Sequence, residues 1–131
     1  MIKARVGVLR GCTSHEYEVS LATGASVLKH LPSAYRGHDI LIDRSGLWHW
    51  NGLPVTPPQI ARQVDVFWNA LHGEYGEDGK LQSELEQWGK PYTGSGSVAS
   101  ALGMNKTLAK EIFRRAGLKT PTGMTFRIVE S

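Results

Sequence analysis

Val66-Phe67-Trp68-Asn69-Ala70-Leu71-His72-Gly73-Glu74-Tyr75-Gly76-Glu77-Asp78-Gly79 passes from an apolar, strand-like run into one histidine, three glycines and three acids. A short apolar run bounded by turn residues reads as a strand buried on both faces. The glycines mark where that strand must end. Open α/β sheets place their ligands at the carboxyl ends of such strands. One stretch therefore predicts both a fold class and a functional face.

Outward from it, Ile2, Ala4, Val6 and Val8 alternate and merge into Val8-Leu9, predicting a first strand. Gly11-Cys12-Thr13-Ser14 breaks it, and a helix is expected over residues 15–31, with Leu21, Ala25, Leu28 and Leu31 on one stripe and Pro32 as its stop. A second strand centres on Ile40-Leu41-Ile42, and residues 46–52 read as a small hairpin turning at Asn51-Gly52. A loop and short helix then precede the strand over residues 64–71. Helices are expected over residues 80–88, 97–102 and 105–116, with a short fourth strand over residues 90–93. This alternation argues for parallel βαβ units: an α/β fold, three-layer, around a mostly parallel sheet. Residues 120–129 look like a linker entering a further strand.

At 131 residues, 40% hydrophobic and 21% charged, the chain has the composition of one ordinary globular domain. A net charge of +3, with Lys and Arg scattered, carries no nucleic-acid footprint. Cys12 is alone, which excludes an internal disulfide and a cysteine-based zinc site, and suits a reducing cytoplasm. No run approaches the roughly 18–20 apolar residues of a membrane span, and the basic amino terminus lacks the apolar core of a signal peptide.

Several groups could carry chemistry. Thr13-x-x-Glu16 has capping-box spacing, so Glu16 either closes a helix start or stands as a carboxylate at the end of strand one, placed for an ammonium group. His72 either bonds a neighbouring loop or donates to a ligand carboxylate or phosphate, for which the following glycines give backbone access. Glu77 and Asp78 suit the start of the next helix. Lys106 sits at a helix amino terminus, where the dipole disfavours it; it belongs either to a solvated face with Lys110 and Arg114 or to a phosphate contact. Gly94-Ser95-Gly96-Ser97-Val98-Ala99 matches G-x-G-x-x-A, but after the fourth strand it reads as a tight turn opening a helix. The four tryptophans read as core and hairpin packing.

These residues together resemble the amino-terminal domain of D-alanine–D-alanine ligase, in the ATP-grasp superfamily. The resemblance rests on residues 11–21, the His72-Gly79 stretch with Leu81-Gln82, Pro91-Tyr92-Thr93-Gly94-Ser95-Gly96, Ala99-Ser100-Ala101-Leu102 and Met104-Asn105-Lys106. It implies a Rossmann-like pre-ATP-grasp domain over residues 1–118, with residues 119–131 as linker and start of a missing ATP-grasp domain. It implies a cytoplasmic enzyme of peptidoglycan synthesis that uses ATP and magnesium to activate one D-alanine as its acyl phosphate for attack by a second. Glu16 then has a catalytic role, receiving the first D-alanine's amino group. Val19 lines that pocket, His72 stands near the developing acyl phosphate, and Lys106 reaches the nucleotide phosphates. D-alanine, ATP and a homodimer are the implied partners, with no nucleic acid or membrane.

Cys12 stands where the family usually has glycine, Asn105 where aspartate is common, and residues 47–54 are shorter and more aromatic than the family pattern. The magnesium carboxylates and the charge clamps of phosphoryl transfer are expected beyond residue 131, so this chain alone is expected to be inactive. The competing expectation is a stand-alone, non-catalytic α/β module that binds a small ligand or dimerises.

Overall fold

The computed structural model describes residues 3–128; Ile2 and Val129, expected in the first strand and in a terminal one, lie outside them. The elements in chain order are β1 (Ala4–Gly11), α1 (Tyr17–His30), β2 (Tyr35–Ile42), β3 (Trp48–Trp50), β4 (Leu53–Pro54), α2 (Pro57–Ala61), β5 (Val66–Asn69), α3 (Lys80–Gln87), α4 (Ser97–Met104) and α5 (Lys106–Arg115). The strands form a five-stranded sheet in the order β4-β3-β2-β1-β5. β1 runs parallel to both neighbours, pairing Ala4 with Tyr35 and Val6 with Val66.

The far edge is antiparallel because the chain leaves β2 through a tight turn instead of a crossover helix. Asp43 makes that turn: its Oδ1 accepts from the N–H of Ser45 at 2.8 Å and of Leu47 at 3.1 Å. Asn51 and Gly52 turn β3 into β4 with φ of 51° and 80°, the two positive values that a tight hairpin requires. The predicted turn is therefore present, but the hairpin it serves extends to Pro54.

Alternation along β1 divides the core into two layers. Val6 and Val8 pack with Ala70 under Val27, Leu28 and Leu31 on the α1 side. Leu9 points the other way, into Ile40, Ile42, Ile60, Phe67, Leu81 and Leu85 on the α2 and α3 side. Helices on both faces of a mostly parallel sheet give the expected three-layer α/β sandwich. Fully burying each of these large side chains contributes about 1.5–3 kcal/mol.

The α1 stripe is rotated from its predicted position. Its buried residues are Ser20 and Gly24, continued by half-buried Val27, Leu28 and Leu31, while Ala25 is exposed. Gly24 is the cause. A Cβ there would sit 2.6 Å from the Cβ of Arg10, so the helix approaches β1 most closely at its smallest residue.

The tryptophans also divide. Trp48 is buried and meets Trp88 edge to face at 6.2 Å, and Trp50 stacks on His38 at 4.6 Å. Trp68, expected in the core, is 38% exposed on β5, the last full strand of the sheet.

The expected fourth strand shrinks to a single parallel bridge between Phe67 and Tyr92. Gly89 and Gly94, with φ of 63° and 106°, bend the chain on either side of it. Residues 118–128 form no helix or strand. Among the described residues no helix is long and apolar enough to cross a membrane.

Candidate functional site

The loop that follows β5 is built from its own polar groups. Asn69 accepts the N–H of Leu71 at 3.1 Å and donates to the carbonyl of Gly76 at 2.7 Å. Gln82, reaching back from α3, donates to the same carbonyl at 2.8 Å. Glu77 accepts the N–H of Gly73 at 2.9 Å, closing the loop on itself. Asp78 accepts the N–H of Lys80 at 3.0 Å and so starts α3. Burial pushes the Asp78 carboxyl up, but hydrogen bonds to its ionised form outweigh that and hold it below its ordinary range. Both acids therefore have structural duties, as their position before a helix suggested.

All three of the loop's glycines are sterically required; Gly79, with a φ of 92°, would place a Cβ 2.4 Å from the Ser97 carbonyl oxygen. A Cβ on Gly76 would fall 2.3 Å from the Cβ of Leu71. Gly73 has a φ of 76°, and a Cβ there would meet Oε2 of Glu16 at 3.0 Å.

The Gly73 contact shows where Glu16 lies. The capping box expected of Thr13 and Glu16 does not form. Helix α1 begins at Tyr17 with Glu16 itself at the cap position, and no side-chain cap bond is made. Ser14 takes the role expected of Thr13: its Oγ accepts the Glu16 N–H at 3.2 Å and donates to the carbonyl of His72 at 2.7 Å. The Glu16 carboxylate accepts no hydrogen bond among the described residues and lies over the start of the His72 loop. It is an exposed carboxylate whose Oε2 faces Gly73, the residue after His72.

His72 and Val19 are joined through a residue that sequence reasoning missed. Thr23 Oγ1 lies 2.9 Å from Nε2 of His72 and 3.0 Å from the carbonyl of Val19. Val19 is 52% exposed and offers an apolar surface one helical turn before Thr23. Ser20, one position on, was missed too. Fully buried, it accepts the Gly11 N–H at 2.8 Å and donates to the carbonyl of Ala70 at 2.8 Å, tying the ends of β1 and β5 together. Polar residues on an apparently amphipathic helix give no sequence signal that separates such a clamp from a solvated face.

Lys106 stands apart from this group. It opens α5, exposed, where the side chain of Asn105 caps the helix by accepting the Leu108 N–H at 3.1 Å. It makes no ion pair or hydrogen bond among the described residues. The helix start after Gly94 is already satisfied: Glu86 accepts from the N–H and Oγ of Ser97 at 3.0 and 2.7 Å and from Tyr92 at 2.6 Å. A carboxylate thus occupies the position where a dinucleotide phosphate would bind, and the tight-turn reading holds.

A cavity of about 650 Å³ lies nearby, lined by Cys12, Trp48, Val55, Tyr75 and Glu84 among others. Burial, then Glu84, pushes the Tyr75 phenol well above its ordinary range. None of Glu16, Val19, His72 and Lys106 lines this cavity, so the candidate site is an open ledge at the carboxyl edge of the sheet. No group of three or more His, Cys, Asp or Glu that could hold a metal ion occurs among the described residues.

Comparison with known proteins gives a consistent result. The family profile described as D-ala D-ala ligase N-terminus matches residues 52–95. A D-alanine–D-alanine ligase of Geobacter sulfurreducens is 49% identical over 114 residues, covering 87% of this chain and 34% of that protein. The chain therefore spans about a third of the length of the curated relatives it matches. The VanG D-Ala:D-Ser ligase of Enterococcus faecalis superposes with a TM-score of 0.83 at 30% identity, over 92% of this chain and 44% of that one. The D-alanine–D-alanine ligase of Bacillus anthracis, solved with ATP, superposes with a TM-score of 0.76 at 32% identity, over 93% of this chain and 38% of that one.

Proposed function

We propose that this chain, which belongs by sequence and fold with the amino-terminal domain of D-alanine–D-alanine ligases, forms the first-substrate wall of an ATP-dependent, cytoplasmic ligase of peptidoglycan synthesis. In this reading residues 1–118 are the substrate-binding domain, and residues 119–131 lead into an ATP-grasp unit. The observation that carries the reading is the Glu16 carboxylate, released from helix capping and set against Gly73 beside His72.

Each residue then has a task its surroundings allow. Glu16 pairs with the ammonium group of the first D-alanine. The exposed side chain of Val19 meets its methyl group. His72 stands beside the carboxylate as it becomes an acyl phosphate, where charge develops. Lys106, a cation with no protein partner among the described residues, neutralises a nucleotide phosphate from the start of α5. ATP supplies the phosphoryl group. Magnesium ligands and the residues that choose between D-alanine and D-serine as second substrate are assigned to the other two thirds of the relatives' length.

The exposed apolar residues of α5 fit the same reading. Leu108, Ile112 and Phe113 are 37%, 39% and 46% exposed, with Leu118 beyond them, as expected of a face that the rest of a ligase covers.

The test joins residues 1–118 to the remaining part of the Geobacter sulfurreducens ligase and measures D-alanine-dependent phosphate release from ATP. Glu16→Gln should lower kcat/KM for the first D-alanine about 100-fold, the loss expected when one member of an enclosed charge pair is removed. It should move the unfolding free energy by less than about 0.5 kcal/mol, because no cap bond is lost. Unchanged kinetics would return Glu16 to the surface and remove the main support for the proposal.

A further inference from the structure

We infer that Thr23 is a positioning residue that fixes the tautomer of His72 and so selects Nδ1 as the ring atom that addresses the first substrate. This rests on the ligase reading for its consequence, but the tautomer itself follows from hydrogen-bond counting. A threonine hydroxyl has one proton and two lone pairs. The Val19 carbonyl, 3.0 Å from Thr23 Oγ1, can only accept, so the hydroxyl proton points there. The remaining contact of that oxygen, 2.9 Å to His72 Nε2, must then run from the ring N–H to a hydroxyl lone pair. The neutral imidazole is thereby held with its proton on Nε2.

Nδ1 is left as the free ring atom. It is an acceptor while the ring is neutral and a donor once the ring is protonated. The second anchor is Ser14, whose hydroxyl donates to the His72 carbonyl at 2.7 Å and fixes the residue's backbone. With ring and backbone both tied to the start of α1, Nδ1 has little freedom of its own. Thr23 touches no substrate in this arrangement; it works through His72. It also couples His72 to Val19, two positions that the family resemblance implies as separate contacts of one ligand.

The first measurement is on the chain itself. Long-range ¹H–¹⁵N correlation spectra of the uniformly ¹⁵N-labelled protein, with His72 assigned by His72→Gln, distinguish the two neutral tautomers. The wild-type ring should be protonated on Nε2 alone, beyond the partial preference a free imidazole has for that tautomer, and a wild-type mixture overturns the inference. Thr23→Ser keeps the hydroxyl and should keep the tautomer; Thr23→Val removes the acceptor and should give a mixture. A wild-type ring protonated on Nδ1, or a folded Thr23→Val protein with the wild-type tautomer, overturns the inference. If Thr23→Val fails to fold, the wild-type and Thr23→Ser spectra still decide.

The second measurement uses the joined ligase. There Thr23→Val should lower kcat about tenfold, with Thr23→Ser restoring it. A changed tautomer with unchanged kcat overturns the positioning role. A joined ligase with intact substrate kinetics in Glu16→Gln would instead count against the ligase reading, leaving the tautomer result in place.

Discussion

Ser20 is the point at which the fold and the proposed site depend on one oxygen. Its hydroxyl is fully buried, accepts the N–H of Gly11 and donates to the carbonyl of Ala70, both at 2.8 Å. Gly11 ends β1 ahead of the Glu16 turn, and Ala70 follows β5 just before His72. Ser20→Ala leaves both backbone groups buried without a partner. Each orphaned group costs about 1–3 kcal/mol, and a water drawn into the gap would bring the sum toward its lower end. We therefore expect a loss of about 2–4 kcal/mol. With a urea dependence of about 2 kcal/mol per molar, the midpoint should fall by about 1–2 M. Alanine is also the better helix former, by a few tenths of a kcal/mol. Ser26→Ala, at an exposed position of the same helix, isolates that gain and should be neutral or slightly stabilising. Equilibrium urea unfolding of the three proteins, followed by circular dichroism, supplies the comparison. If Ser20→Ala and Ser26→Ala unfold at the same midpoint, the clamp contributes nothing and the reasoning fails.

Cys12 has a φ of 88°, a backbone conformation that suits glycine, yet is only 1% exposed. Left-handed backbone costs an L-residue about 1–2 kcal/mol, so Cys12→Gly should be more stable than Cys12→Ala by about 1 kcal/mol, the reverse of the usual order; an alanine variant equal to or better than glycine in urea unfolding refutes the strain. Partial burial and then Glu86 push the Tyr92 phenol from 10.0 up to about 12. The raised value means that the fold favours the protonated phenol: its stabilising contribution is full below pH 10 and disappears as the pH rises toward 12. Absorbance titration should therefore show two tyrosines, Tyr75 and Tyr92, ionising late, with only the Tyr92 step moving toward the ordinary value in Glu86→Gln; an unmoved titration would show that Glu86 does not act on it.

Periodicity made most of the sheet legible. The strands around Val8, Ile40 and Phe67 are short apolar runs bounded by turns, and the helices between them leave few alternatives to a parallel core. The antiparallel edge was visible only as a hairpin, because its attachment to β2 depends on an aspartate turn at Asp43 that hydropathy does not register. The α1 stripe failed for a related reason. Hydrophobic spacing gives weight to Leu21 and Ala25, whereas the closest approach to the sheet is decided by a residue with no side chain, Gly24, beside a buried hydroxyl.

The site shows the same division between what one segment can say and what two must say together. Thr13-x-x-Glu16 satisfies the local rule for a capping box, and locally nothing opposes it. What displaces it is Ser14, whose hydroxyl is held by a carbonyl 58 positions away and is then available to the Glu16 N–H. Once Ser14 is fixed by His72, the helix starts at Tyr17 and the glutamate has no backbone group to reach. The long-range bond thus does two things at once: it docks the His72 loop onto the start of α1, and it leaves Glu16 beside that loop as a free carboxylate. A capping glutamate and a free glutamate are written identically in this stretch of sequence. Here the difference between them is made by the carbonyl oxygen of His72.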